Sequence, residues 1–261
     1  MNEDHIQAVR QAIQYMKLHL DHDITSEQLA AHVGYSPYHF TRVFKKVTGI
    51  SPRHYLSALR IEAGKLHLLK EPGLLVKILH AIGFQSAGSF NTRFKQQVGI
   101  TPQKFRSTSQ QLFIHMNEWE HKQLEAQSAD DEASSRLTCQ IITPLSFRGV
   151  IFVGLFPRPI PDQRPIKGTA INSSTRSCTL TDIPPGSYYV MAAGIAWSLN
   201  PRDYFLLNEA LRGMYEGPIH ITNETKLHIA ITLREPLPQD PPIIINLPML
   251  LFEQNKKNSA K

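Results

Sequence analysis

The sequence predicts a multidomain protein of α and β type, with an all-α domain followed by an all-β sandwich domain. Three observations indicate this fold class. The 261 residues suffice for two modest domains or one large domain. Apolar residues recur at helical spacing in the first part and in short β-rich runs after about residue 137. The first part also repeats a phrase: FTRVFKKVTGISPRHY begins at Phe40 and FNTRFKQQVGITPQKF begins at Phe90.

Helix signals divide the first part into short segments. The first helix carries an apolar stripe formed by Ile6, Val9, Ile13, Met16 and Leu20. The string TSEQ predicts an N-cap at Thr25 or Ser26 for a second helix, which ends at Gly34. Ser36 and Pro37 predict the cap and first residue of a third helix.

The third helix is predicted to end at Gly49, and a long helix follows Pro52. The string EPG at residues 71–73 breaks this long helix, after which the repeated phrase begins again. Residues 110–126 are predicted to form one more helix, which either packs on its own domain or forms a dimer.

The repeated phrase predicts two helix-turn-helix units, at about residues 25–48 and 74–98. The pairs Phe40/Phe44 and Phe90/Phe94 lie at i, i+4 on one helical face, which is predicted to be buried. The residues between them are then directed outward: Thr41, Arg42, Lys45, Asn91, Thr92 and Lys95. A helix-turn-helix can also serve packing alone, but two copies with matched basic residues favour a functional role.

The charge of the chain is unevenly distributed. Residues 1–108 hold 14 Lys and Arg against 7 Asp and Glu, so their net charge is +7, whereas the remaining residues sum to −1. Such asymmetry indicates a polyanionic partner for the first domain, with ordinary surface lysines as the alternative.

The outward residues suit the reading of double-stranded DNA. The second helix of such a unit lies in the major groove, where arginine can bind guanine through two hydrogen bonds. Lysines further along the helix suit phosphates, and a serine cap leaves backbone N–H groups available to a phosphate at Ser36 and Ser86. Two joined units are predicted to enter successive major grooves, about 34 Å apart.

The strings GYSPYHFTRVFKKVTGISPRHYLSALR and GFQSAGSFNTRFKQQVGITPQKFR resemble the paired DNA-binding domain of AraC/XylS-type transcription regulators, over roughly residues 5–108. The resemblance implies sequence-specific DNA binding in a bacterial-type, cytoplasmic regulator. It places base contacts at Tyr38, Thr41, Arg42, Gly88, Ser89 and Thr92. It places phosphate contacts at Lys45, Lys46, Arg93 and Lys95.

Some positions depart from the family pattern. Leu79 stands where a small residue is usual, and Gly64 stands in the long helix where alanine is usual, at a cost of about 1 kcal/mol in helix propensity. Ala87 and Gly88 leave few side-chain atoms on the DNA-reading surface of the second unit. Discrimination between DNA sequences is therefore expected mostly in the first unit. Most members also place this domain last, whereas here it comes first.

The second part begins after residues 109–136, which are predicted to be a helix and an acidic linker, SADDEASS. Residues 137–255 are predicted to form the β-sandwich, with one helical patch, DYFLLNEALRG. The predicted strands are the runs FRGVIFVGLF, GTAIN, SCTLTDI, SYYVMAAGI, PIHIT, KLHIAITL and PIIINL. Several β-rich strings resemble prealbumin-like modules, most characteristically the turn at Pro184, Pro185 and Gly186. The effector domain of Rob-like regulators is the weaker alternative.

No catalytic set, metal site or cofactor motif is found in the sequence. The cysteines, Cys139 and Cys178, lack the P-C-H motif of DNA-repair methyltransferase fusions, and Cys178 is predicted to be a buried small hydrophobe. Five aromatic residues could line an apolar ligand site but fit a core better: Tyr188, Tyr189, Trp197, Tyr204 and Phe205. The N-terminus does not resemble a signal peptide, and no apolar run is long enough to span a membrane.

We therefore expect a transcription regulator that binds double-stranded DNA, is not an enzyme, and needs no cofactor. The C-terminal domain is expected to sense a small-molecule effector or to serve only dimerisation or protein interaction. RNA polymerase is a candidate partner.

Overall fold

The chain forms two compact units, each with its own core. A computed structural model describes residues 2–70, 79–120 and 135–258. The helical unit comprises Met1–Ser107 together with Leu237–Ile245, and the β unit comprises Thr108–Pro236 together with Asn246–Lys261. The predicted helix break at 71–73 and all but the last residue of the predicted acidic linker lie outside the described residues.

Short helices joined by tight turns form the helical unit, as the sequence predicts. The helices are α1 (Glu3–Leu18), α2 (Ser26–His32), α3 (Pro37–Thr48), α4 (Pro52–Lys70), α5 (Ala87–Val98) and α6 (Pro102–Glu120). Residues 79–81 are also helical. Helix α6 starts in the helical unit, but from Thr108 onward its residues belong to the β unit.

Local capping explains where these helices begin and end. Thr25 forms a full capping box with Gln28 at the start of α2. Ser36 caps α3, whose first residue is Pro37. Helix α3 ends at Gly49, which has the left-handed φ of 81° that glycine adopts without strain.

Two aromatic triads form the core beneath the repeated phrase. The ring centroid of Phe44 lies 5.5 Å from that of Phe40 and 5.5 Å from that of Tyr55. In the second copy, Phe94 lies 5.3 Å from Phe90 and 5.5 Å from Phe105. All six rings are buried. The repetition in the sequence is therefore a repetition of core packing.

The long helix α4 fits closely against α5 at Gly64. A Cβ at Gly64 would lie 2.8 Å from Cε2 of Phe90 and 3.3 Å from Cδ1 of Ile82, which is closer than side chains normally approach. The glycine therefore lets the Phe90 ring pack directly on the α4 backbone. This contact accounts for a residue whose helix propensity is poor.

The described residues of the β unit form eight strands. They are β1 (Arg136–Ile142), β2 (Gly149–Phe156), β3 (Gly168–Asn172), β4 (Ser177–Thr181), β5 (Gly186–Ala196), β6 (Leu211–Met214), β7 (Ile219–Ile221) and β8 (Lys226–Thr232). One sheet has the order β4-β1-β8, and the other has the order β3-β2-β5-β6 with β7 also paired to β5. The β1–β8 pair is parallel, whereas the other pairs are antiparallel. Residues of both sheets share one buried apolar cluster.

The sequence prediction was wrong at three places after residue 200. The patch DYFLLNEALRG contains only the end of a 3-10 turn, Pro201–Tyr204, and its last residues begin β6. The predicted strand PIIINL lies in no sheet, since Pro241 and Pro242 have no N–H to donate to a ladder. A final helix, α7 (Leu247–Asn258), follows it and was not predicted.

The strand β1 was also absent from the predicted runs. Its sequence, RLTCQII, alternates buried and exposed residues because only one of its faces meets the core. In the part of the chain that the structure describes, every helix is too short or too polar to cross a lipid bilayer.

Candidate DNA-binding surface

The first predicted helix-turn-helix consists of α2, a tight turn and α3. The turn passes through Gly34 at a φ of 72°, and the Tyr35 N–H donates to the Ala30 carbonyl at 2.9 Å. The Ser36 hydroxyl then accepts the His39 N–H at 3.4 Å. The turn and the cap together set the angle between α2 and α3.

The face of α3 opposite the aromatic triad is exposed and basic. Tyr38 is 82% exposed. Arg42, Lys45 and Lys46 are also exposed, and Thr41 is partly exposed. The Thr41 hydroxyl donates to the Pro37 carbonyl at 2.9 Å, so its proton is already engaged within the helix. The hydroxyl oxygen and the methyl group remain for any contact outside the protein.

The second unit repeats this geometry at a distance of fifty residues. Its turn passes through Gly83 at a φ of 71°, and the Phe84 N–H donates to the Leu79 carbonyl at 2.9 Å. Leu79 is buried, so the side chain that departs from the family pattern is part of the core. The Ser86 hydroxyl accepts the Ser89 N–H at 3.2 Å and caps α5.

The solvent face of α5 carries the second set of predicted contact residues. Five of them are exposed: Gly88, Ser89, Thr92, Arg93 and Lys95. The Ser89 hydroxyl donates to the Ser86 carbonyl at 2.9 Å and accepts from the Ser86 hydroxyl at 3.1 Å. The two serines therefore satisfy each other in the protein, and α5 offers fewer free polar groups than α3.

The cations of both faces are available to an anion. Within residues 2–70, 79–120 and 135–258, the structure places no carboxylate in an ion pair with them. These cations are Arg42, Lys45, Lys46, Arg93 and Lys95. Side chains that are not neutralised by the protein can bind phosphates without first breaking an internal ion pair.

An arginine clamp joins α4 to the segment that follows α1, beside the turn of the second unit. Arg60 of α4 donates from Nε to the Leu20 carbonyl at 3.0 Å and from Nη2 to the His22 carbonyl at 2.6 Å. Burial lowers the pKa of Arg60. Gly83 lies directly against this clamp, since a Cβ there would overlap the Leu20 carbonyl oxygen. The clamp fixes the turn of the second unit against the end of α1.

Sequence reasoning missed the buried Lys65 in α4. Its side chain is 1% exposed, and Nζ donates to the Ile244 carbonyl at 3.2 Å. Burial lowers the pKa of Lys65 to about 8, partly offset by the charge of Glu62. A signal was present, because Lys65 follows Ile61 by four residues and precedes Leu68 by three on the buried stripe.

The aromatic residues of the β unit that fit a core better than a ligand site in the sequence are mostly core in the structure. Tyr188, Tyr204 and Phe205 are buried. The Tyr188 hydroxyl donates to the Pro184 carbonyl at 3.0 Å, and the Tyr204 hydroxyl donates to the Asn117 side chain at 3.0 Å. Tyr189 and Trp197 are half-buried. The core interpretation is therefore favoured for the first three residues.

The cysteines of the β unit are unpaired but adjacent. Cys139 and Cys178 are register partners on β1 and β4, and both are buried, as expected for Cys178. A hydrogen bond with Cys178, together with burial, raises the pKa of Cys139 and keeps its thiol protonated. Among the described residues, no group of three or more His, Cys, Asp or Glu side chains is arranged to hold a metal ion.

Comparisons with known proteins support the helical part of this picture. Residues 29–108 match the family described as "Helix-turn-helix domain". The chain is 35% identical over 97 residues to the uncharacterized HTH-type transcriptional regulator YobQ of Bacillus subtilis, covering 37% of this chain and 40% of that protein. It is 33% identical over 106 residues to an uncharacterized HTH-type transcriptional regulator of Staphylococcus aureus, covering 41% of this chain and 14% of that protein. The chain thus spans less than half the length of these relatives.

Solved structures give a similar partial match. An AraC-type transcriptional regulator from Chromobacterium violaceum is 25% identical, with a TM-score of 0.39, over 41% of this chain and 96% of that one. The DNA-binding domain of AdpA, solved in complex with a target DNA, is 23% identical, with a TM-score of 0.38, over 40% of this chain and 93% of that one. Residues 29–108 of the present chain are a helix-turn-helix domain, similar in sequence to those of HTH-type transcriptional regulators.

Proposed function

We propose that the protein is a sequence-specific, double-stranded DNA-binding transcription regulator of the AraC/XylS type. One observation carries the proposal: the tandem helices α3 and α5 each bury an aromatic underside and expose cations on the opposite face. A buried underside fixes the orientation of the helix, and exposed cations supply affinity for phosphates.

The two faces have different roles in this proposal. Arg42 and Tyr38 of α3 read base edges, and Lys45 and Lys46 bind phosphates further along the helix. On α5, Thr92 and the open backbone at Gly88 contact bases, while Arg93 and Lys95 bind phosphates. Helix α3 supplies most of the discrimination, because the hydroxyls of Ser86 and Ser89 bind each other.

The proposal is tested first by selecting bound sequences from random duplex DNA. A regulator of this kind enriches one sequence of about two helical turns, with a protected footprint of the same length. If every duplex binds equally at raised ionic strength, the protein is not sequence-specific and the proposal is wrong.

Single variants then separate base reading from phosphate binding. Arg42→Ala is expected to cost about 1–3 kcal/mol and to relax the preference at one base position. Lys46→Ala is expected to weaken binding to all duplexes equally. It should also reduce the slope of the logarithm of affinity against the logarithm of salt concentration by about one. Lys17→Ala on α1 removes an exposed charge outside both faces and should leave the selected sequence unchanged.

The β unit is proposed to control this activity as a prealbumin-like sandwich. The turn of Pro184, Pro185 and Gly186, which leads into β5, supports that assignment. The unit would sense a small-molecule effector, whereas the alternative is a dimerisation or interaction module that contacts a partner such as RNA polymerase. The melting temperature of the β unit, measured with each member of a metabolite panel, distinguishes these roles. Only a sensor gains stability from a small-molecule ligand.

A further inference from the structure

The segment Leu237–Ile245 belongs to the helical unit although it follows the last β strand in the sequence. We call this segment the strap. The chain enters the strap from Pro236 of the β unit and returns to the β unit at Asn246. The helix-turn-helix family match ends at residue 108, so the strap is an addition from outside that domain.

The strap begins with a closed turn. The Asp240 N–H donates to the Leu237 carbonyl at 2.9 Å, and the Leu237 N–H donates to the Asp240 carboxylate at 2.7 Å. Pro241 and Pro242 follow and restrict the backbone further. A segment that is ordered by its own bonds and prolines loses little entropy when it docks.

Three hydrogen bonds hold the strap to α1 and α4. Arg10 Nε donates to the Gln239 side chain at 3.0 Å, the Tyr55 hydroxyl donates to the Asp240 carbonyl at 2.7 Å, and Lys65 Nζ donates to the Ile244 carbonyl at 3.2 Å. The residues Ile243, Ile244 and Ile245 are 5%, 0% and 1% exposed. The strap is thus bonded to the helices between Gln239 and Ile244, and its apolar end is buried.

The Lys65 contact requires the strap in order to be stable. An ammonium group that is 1% exposed has lost its water, and the strap carbonyl replaces part of that hydration. Without the strap, α4 would present a lysine in the middle of its otherwise apolar stripe. The helical unit is therefore built to include this segment.

Tyr55 links the strap to the first reading helix. Its hydroxyl bonds the strap, and its ring packs edge-on against Phe44 at 5.5 Å. Phe44 lies on the buried side of α3, two residues after Arg42. In the second unit the matching position is Phe105, which has no hydroxyl, so only the first unit can form this bond.

We propose that the strap is a positioning element for α3, through which the chain of the β unit sets the orientation of the first DNA-reading helix. This inference rests on the proposed DNA-binding function, and it deepens that function by assigning a regulatory connection. A change in the β unit that pulls on the strap would act on the Asp240–Tyr55 bond and hence on α3. The strap has a bond to the first triad that the second triad does not share.

The variant Tyr55→Phe tests the proposal in the full chain. Phenylalanine already occupies the matching position at residue 105, so the ring packing is preserved while the bond to Asp240 is lost. The affinity for the selected sequence, divided by that for random duplex, is expected to fall about two- to fivefold. Gln239→Ala, which removes the acceptor of Arg10 on the strap itself, should shift the ratio in the same direction.

A control variant and a measurement of hydrogen exchange accompany this test. Tyr188→Phe in the β unit also removes a hydroxyl that donates to backbone carbonyls, those of Pro184 and Pro185, and should leave the ratio unchanged. Amide hydrogen exchange, measured without DNA, should accelerate in α3 of Tyr55→Phe and not in α5. An unchanged ratio with exchange altered only in residues 237–245 would overturn the proposal. If the wild-type protein selects no sequence, the proposed function fails, but α3 exchange still decides whether the strap positions that helix.

Discussion

Replacing Gly83 with alanine tests whether the second unit is fixed against the arginine clamp. Gly83 has a φ of 71°, which L residues with a side chain rarely adopt. A Cβ there would overlap the Leu20 carbonyl oxygen and lie 2.7 Å from Nη2 of Arg60. Both atoms are engaged, because Arg60 donates hydrogen bonds to the carbonyls of Leu20 and His22.

Two effects determine the size of the loss. The left-handed backbone costs alanine about 1–2 kcal/mol, of which about 0.4–1 kcal/mol is offset by the lower entropy of the unfolded chain. Overpacking against the clamp adds about 1–3 kcal/mol, since a backbone carbonyl cannot move aside as a side-chain end can. We expect Gly83→Ala to destabilise the helical unit by about 2–4 kcal/mol.

Gly34→Ala is the matched control. Gly34 occupies the corresponding turn of the first unit and has nearly the same φ, 72°, yet a Cβ there would meet no atom within 4 Å. Its cost is therefore the backbone strain alone, about 1 kcal/mol. The difference between the two variants, about 2 kcal/mol, isolates the contact with the clamp.

The two units can be followed separately in one urea titration. Circular dichroism at 222 nm reports mainly the helical unit, while both tryptophans, Trp119 and Trp197, lie in the β unit and report it by fluorescence. The midpoint at 222 nm should fall much further for Gly83→Ala than for Gly34→Ala. Equal shifts for both variants would refute the contact between Gly83 and the clamp.

Three further changes have defined expectations. Thr25→Ala removes the oxygen that accepts the Gln28 N–H and should destabilise the helical unit by about 1 kcal/mol, measured by circular dichroism at 222 nm. Thr25→Ser should retain the cap. Tyr188→Phe should destabilise the β unit by about 1 kcal/mol, read from tryptophan emission, because the bond to Pro184 is lost. Burial lowers the pKa of Lys65 from 10.5 to about 8, so the unfolded state binds more protons between these values. The unfolding free energy should therefore rise by about 3 kcal/mol from pH 8 to pH 10.5, relative to Lys65→Met.

Each of these expectations has a contrary result. Equal stability of Thr25→Ala and Thr25→Ser would mean that the cap contributes nothing in water. An unshifted emission midpoint for Tyr188→Phe would mean that the hydroxyl is as well solvated in the unfolded chain. Parallel stability profiles of the wild type and Lys65→Met across this pH range would show that Lys65 keeps its ordinary pKa in the folded protein.

The ends of the helices in the helical unit follow from short stretches of the sequence. Caps and breakers act within a few residues, so Thr25, Ser36 and Gly49 predicted the ends of α2 and α3 without any knowledge of the fold. The repeated phrase likewise predicted which aromatic rings would be buried, because residues at i, i+4 share one face whatever lies beneath it.

The tertiary structure decided everything that depends on distant parts of the chain. The reason for Gly64 lies in the ring of Phe90, and the partner of Lys65 lies 179 residues away at Ile244. The string PIIINL has the composition of a strand, but Pro241 and Pro242 precede its isoleucines, and residues 242–245 belong to the helical unit and not to the sheets. Periodicity describes which face of an element is buried, and only packing specifies what that face is buried against.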